Sequence, residues 1–206
     1  MSGETSARRR ETMSAPPCLV FFDVDGTIAR PGGAGKVGDR VDAIVQAALD
    51  EGCAIGIATA GDYTSEPCTG SSPKYWTTPK LCGALETHDF KLWASKVQFD
   101  GAVSEKGQPP LPQPPGGKGP GYKKAWQIDY LRKKYFPSVD SSCAVLFDDD
   151  AGFLEGVRKF NDANATSYEA QCARSSCDAG FGPATKDFDP DTVKQKLKAM
   201  SCGGPR

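Results

Sequence analysis

The chain has 206 residues, 38% of them hydrophobic and 25% charged, enough for one globular domain with a real core. Twenty-five Lys and Arg against 26 Asp and Glu give a formal charge of −1, so no general electrostatic pull toward nucleic acid or anionic membrane is expected. No apolar run approaches the roughly 20 residues that cross a bilayer.

Residues 1–17, MSGETSARRRETMSAPP, are small, polar and rich in breakers, and read as a disordered lead. A domain over 18–200 and a flexible end at 201–206 follow from the pattern of apolar segments. The eight cysteines form no zinc-like pair of CxxC units. Cys18, Cys53 and Cys143 lie on or near apolar segments, where thiols behave as small hydrophobes. The expectation is a reduced, cytoplasmic protein, with a Cys172–Cys177 bridge as the one open alternative.

CLVFF is a continuous apolar run, as expected of a strand covered on both faces. It leads into Asp23-Val-Asp25-Gly26-Thr27, where Gly26 permits a tight turn and the Thr27 hydroxyl is expected to tie that turn down. Val37, Val41, Ile44, Val45, Ala48 and Leu49 recur at helical spacing before Gly52. A second apolar run, CAIGIATA, ends at Gly61. Strand, helix, strand is the opening of a parallel sheet with a right-handed crossover.

Residues 62–117 are less periodic. A helix is expected over Leu81–Trp93 and a short strand over Val97–Val103. The Pro/Gly-rich loop at 107–121 contains six of the 16 prolines, which excludes a helix interior or a central strand. Its PxxP matches raise the alternative of docking into an aromatic groove. A helix is expected over Tyr122–Tyr135, stopped by Pro137. CAVLF is a third buried strand, running into Asp148-Asp149-Asp150, and a helix starts near Gly152. Asp189 caps the last helix and Pro190 takes its first position.

Three apolar strands thus end in polar clusters: Asp23 with Asp25, then Thr59, then Asp148 to Asp150. In an open parallel sheet such strand ends face one crevice. Pooled carboxylates repel unless a cation compensates, and hard oxygen donors without nearby Cys or His favour Mg2+.

With these residues in this order, the chain resembles the haloacid dehalogenase-like hydrolase superfamily, in particular its phosphatase branch. FFDVDGT at 21–27 matches the first motif, IGIATAG with Thr59 the second, Lys118 in KGPGYKKAW the third, with Lys123 and Lys124 as competitors, and VLFDDD at 145–150 the fourth. The resemblance implies a Rossmann-like three-layer α/β/α sandwich with a mostly parallel sheet. It implies Asp23 as nucleophile, Asp25 as acid and base, and Thr59 and Lys118 as phosphoryl-binding groups. Asp23, the backbone carbonyl of Asp25, Asp148 and Asp149 would hold Mg2+, with Asp150 left either as the second acid or as a helix cap. Only 31 residues separate Thr27 from Thr59 and 58 separate Thr59 from Lys118, so a capless or minimally capped enzyme is expected. Its substrate would be a phosphorylated small molecule or a phosphoprotein. The rival class is a non-catalytic phosphoryl- or protein-binding member of the same fold.

Overall fold

The computed structural model describes residues 15–29, 37–59, 77–87, 92–94, 103–105, 118–173, 188–200 and 202. They build a six-stranded sheet in the order β4-β3-β2-β1-β5-β6. The strands are β1 (Leu19–Phe22), β2 (Ala54–Ala58), β3 (Leu92–Ala94), β4 (Val103–Glu105), β5 (Ala144–Asp148) and β6 (Glu169–Cys172). Neighbours pair in parallel from β3 through β6, and β4 runs antiparallel at the edge. This is a Rossmann-like α/β fold, as the alternation of apolar runs and amphipathic segments implies.

All four β1 residues are buried, because their alternate side chains enter different layers. Val20 and Phe22 join a core with helices α1 (Val37–Asp50), α2 (Pro79–Thr87) and α5 (Pro190–Ala199). Leu19 and Phe21 join a second core with α3 (Pro120–Tyr135) and α4 (Ala151–Asn164). A strand buried on both faces has no polar positions to alternate, which is why LVFF reads as unbroken grease.

The ends of α1, α4 and α5 follow their sequence signals. Gly52, at φ +75°, donates its N–H to the Leu49 carbonyl and closes α1. Asp150 accepts from the N–H groups of Gly152 and Phe153 at the start of α4, and Asp189 accepts from Thr192 N at the start of α5. Asp150 is therefore a helix cap.

Two expectations are corrected, and one element arises that was not expected. The helix expected over Leu81–Trp93 is α2, which ends at Thr87, and residues 92–94 form β3 instead. The strand β6 answers to no predicted element. The second correction concerns the thiols: Cys18 is bonded to Cys53, Cys143 to Cys202, and Cys82 and Cys172 are disulfide-bonded as well. The parallel register accounts for the first pair, since Leu19 stands beside Ala54 and the preceding residues are brought together. Paired cysteines belong to oxidising environments, so the expectation of reduced thiols does not hold. Nearly all of the Pro-rich loop and most of residues 60–117, where a cap would be inserted, lie outside the described residues, as does the Cys172–Cys177 alternative. No helix among the described residues is long and apolar enough to cross a membrane.

Helix α3 is fastened to the sheet by a polar network at its far end. Tyr168 Oη donates to Asp129 Oδ1 at 2.6 Å, and Arg132 donates to Tyr168 Oη at 2.7 Å and to the Val139 carbonyl at 2.6 Å. Burial and the Asp129 hydrogen bond together push the Tyr168 hydroxyl well above its ordinary range, so it remains a donor.

Candidate active site

The carboxyl ends of β1 and β5 bring their acids together. Phe22 pairs with Phe147, and Asp23 N–H continues the ladder to the Phe147 carbonyl at 2.9 Å, which sets Asp23 beside Asp148. Phe188, at the entry to α5, packs its ring against Phe22 and Phe147, with centroids 6.0 and 5.2 Å away. These rings lie in the core shared with α1 and α5, while the acids at the next strand positions meet Lys124 of α3 on the other side of the sheet. The packed rings fix the ends of β1 and β5 from that opposite face, and with them the spacing of the two acids.

Beyond Asp23 the chain leaves the strand in a wide turn over Val24–Ile28. Asp25 stays extended at φ −70° and Gly26 turns at φ +80°. Only glycine adopts that conformation readily, so backbone geometry accounts for Gly26, whereas Asp25 is in a conformation open to any residue. Asp25 is exposed at the lip of the turn. The Thr27 hydroxyl was expected to hold the turn, but its Oγ1 is buried without a hydrogen-bond partner. The Thr27 carbonyl is held instead, by the guanidinium of Arg40 on α1, which also donates to the Phe188 carbonyl. Thr59 immediately follows β2, the other neighbour of β1, and is buried.

Lysine assignment is the main correction. Lys118 precedes α3, is exposed, and has its ammonium 5.2 Å above the Tyr122 ring. It does not join the acids. Lys124, one turn into the helix, is completely buried, and its Nζ donates to Asp23 Oδ1 at 3.1 Å and Asp148 Oδ2 at 2.6 Å. The sequence carried a signal for this. Lys124 lies four and seven residues before Ile128 and Leu131, on the apolar stripe of the helix, where a solvated lysine has no place.

The remaining oxygens suit a hard cation. Asp23, Asp148 and Asp149 each offer a carboxylate oxygen, all within 4.8 Å of one another. Asp148 Oδ1 also accepts from Asp150 N–H at 2.9 Å, which fixes its rotation. Three grouped carboxylates, two of them bonded to one ammonium, leave negative charge in excess, and all the donors are oxygens; a hard divalent cation fits this set. The Asp25 side chain lies outside this carboxylate group, and the part expected of Asp25 at the metal is its backbone carbonyl.

Burial is the largest influence on Asp23 and raises its pKa from 3.8 to about 7; Lys124 opposes the rise and Asp148 adds to it. Burial likewise raises Asp148, with Lys124 opposing. For Lys124, burial alone would favour the neutral amine, but Asp148 and Asp23 outweigh it and keep the ammonium charged.

Those shifts predict how a cation should stabilise the protein. The folded Asp23 carboxyl keeps its proton to higher pH than the unfolded one, so its contribution favours the fold below about pH 4 and is lost as pH rises through about 7. A divalent ion offsets the charge that then appears. The rise in thermal midpoint caused by Mg2+ over chelator is therefore expected to be larger at pH 7.5 than at pH 5. Scanning calorimetry with both buffers checks this, and an equal or smaller rise at pH 7.5 would contradict the charge assignment.

No family model matches the chain, and no curated protein does. Among solved structures it is similar to yhjK, a haloacid dehalogenase-like hydrolase protein from Bacillus subtilis, with a TM-score of 0.46, 10% identity, and coverage of 90% of this chain and 93% of that one.

Proposed function

We propose that the chain is a Mg2+-dependent phosphomonoester hydrolase of the haloacid dehalogenase-like kind, working through an aspartyl-phosphate. The observation that carries the reading is one buried ammonium, that of Lys124, bonded to both Asp23 and Asp148, with the Asp149 carboxylate grouped beside theirs. The sequence order of acid, hydroxyl, lysine and acid supports the same reading.

In this reading a carboxylate oxygen of Asp23 attacks phosphorus, and a new O–P bond forms as the ester O–P bond breaks. Asp25, at the solvent-facing lip, gives its proton to the departing alkoxide. It then takes one from the water that attacks phosphorus and frees Asp23. Lys124 replaces Lys118 as the phosphoryl-site lysine: it holds the Asp23 carboxylate in place and balances charge growing on the phosphoryl oxygens. Thr59 supplies a hydroxyl donor from the next strand end. Asp23, Asp148 and Asp149 would hold Mg2+, which when bound screens the repulsion between carboxylate and phosphate.

The test is hydrolysis of an aryl phosphate by the purified chain. Turnover is expected with added Mg2+, and at least about a hundredfold less in excess chelator. A rate indifferent to chelation, or no turnover under any divalent ion, would overturn the reading.

A further inference from the structure

We infer that Gly156 and Phe153, both on α4, are positioning residues for Lys124. This rests on the reading of that lysine as part of the phosphoryl site. Lys124 must reach two carboxylates from a helix in the layer above the sheet, so its depth depends on how closely α3 lies against α4. That approach is backbone to backbone. A Cβ on Gly156 would overlap Gly121 Cα, the Gly121 carbonyl carbon and Tyr122 N, and one on Gly121 would come within 2.7 Å of the Gly152 carbonyl oxygen and 2.8 Å of Phe153 Cα. Gly121 lies three residues before Lys124, on the same side of α3. The glycine crossing and the lysine therefore belong to one contact.

Phe153 completes it. The Lys124 ammonium lies 4.3 Å from the centroid of the Phe153 ring, while its protons go to Asp23 and Asp148. The negative face of an aromatic ring attracts a cation, the more so as the cation is withdrawn from water; Lys124 is completely buried and Phe153 partly so. Phe153 also receives its place directly from the site sequence, since its N–H is capped by Asp150. Helix α4 thus begins at the acid cluster and supports the lysine three residues later. Adding a methyl at Gly156 separates the helices by about an ångström and withdraws the ammonium from its partners.

Wild type, Gly156→Ala, Phe153→Leu and Phe153→Tyr are compared as full chains, each first shown to unfold cooperatively. Exposure of Lys124 is read by acetic anhydride labelling and mass spectrometry in chelator. Turnover of an aryl phosphate in Mg2+ is read separately as kcat and KM. Labelling of Lys124 is expected to rise about tenfold in Gly156→Ala and about threefold in Phe153→Leu, with Phe153→Tyr at the wild-type level because it keeps the ring. The kcat values should fall in the same order, with KM changing less. Wild-type labelling in folded Gly156→Ala or in Phe153→Leu overturns the inference. If Gly156→Ala does not fold, the leucine and tyrosine pair decides it. Wild-type protein that hydrolyses no phosphoester, with the labelling order intact, defeats the phosphatase reading but supports this placement of the lysine.

Discussion

Replacing Asp23 by asparagine is expected to reduce aryl-phosphate turnover at least about a thousandfold, because the attacking oxygen loses its charge and no other group can form the intermediate. The fold should not suffer. Asparagine has nearly the same shape, and it removes a carboxylate that burial and Asp148 already push toward its protonated form, to a pKa of about 7. Lys124 keeps its shorter bond, 2.6 Å to Asp148. A thermal midpoint equal to or above wild type at pH 7.5 in chelator is therefore expected beside the loss of activity. Turnover within tenfold of wild type would remove Asp23 from the nucleophile's role. A large fall in midpoint would instead show that the ionised carboxylate holds the fold together.

The parts of this site that were legible in the sequence share one property: a change of chemistry at the end of an apolar run. LVFF into Asp23 and AVLF into Asp148 mark two adjacent parallel strands, because only a doubly covered strand reads as uninterrupted apolar sequence. Asp-Gly after the first run marks the turn, and Gly26 at φ +80° is the residue that needs to be glycine. Caps at Asp150 and Asp189 were legible because side-chain capping is a local bond between near neighbours in sequence.

What was not legible depends on partners far away in the chain. Lys118 was favoured because it stands before a Gly-Pro helix start, yet the helix opens at Pro120 and Lys118 faces solvent. The face occupied by Lys124 becomes decisive only once α4 and the two acids are in place. The pairing of Cys18 with Cys53 depends on β1–β2 register, a single-residue matter that spacing of 35 cannot reveal. Strands β3 and β4 have three residues each, too few to display a period of two. The Thr27 hydroxyl was assigned to the turn by local analogy, whereas the carbonyl of the same residue is held by Arg40 from α1.

Lys124→Met tests the charge balance most directly, because it removes the ammonium facing two buried carboxylates while filling similar volume. Breaking a buried ion pair from one side leaves uncompensated charge and typically costs about 3–5 kcal/mol. Asp23 and Asp148 have two bonds to lose, at 3.1 and 2.6 Å, and neither carboxylate is open to solvent. In chelator the variant is therefore expected to lose about that much stability at pH 7.5. The deficit should shrink at pH 5.5, where the acids, already raised by burial and now without their ammonium, take up protons and no longer require a counter-charge. Mg2+ should recover part of the stability, since the three carboxylate oxygens remain, but not the turnover, since the phosphoryl oxygens lose their balancing cation. Lys118→Met supplies the contrast: that side chain is exposed, so its removal should stay within about 0.5 kcal/mol of wild type. Urea titrations at both pH values read the comparison. Equal effects for the two lysines, or a Lys124→Met deficit that grows as pH falls, would mean that the ammonium does not hold these acids in the charged state.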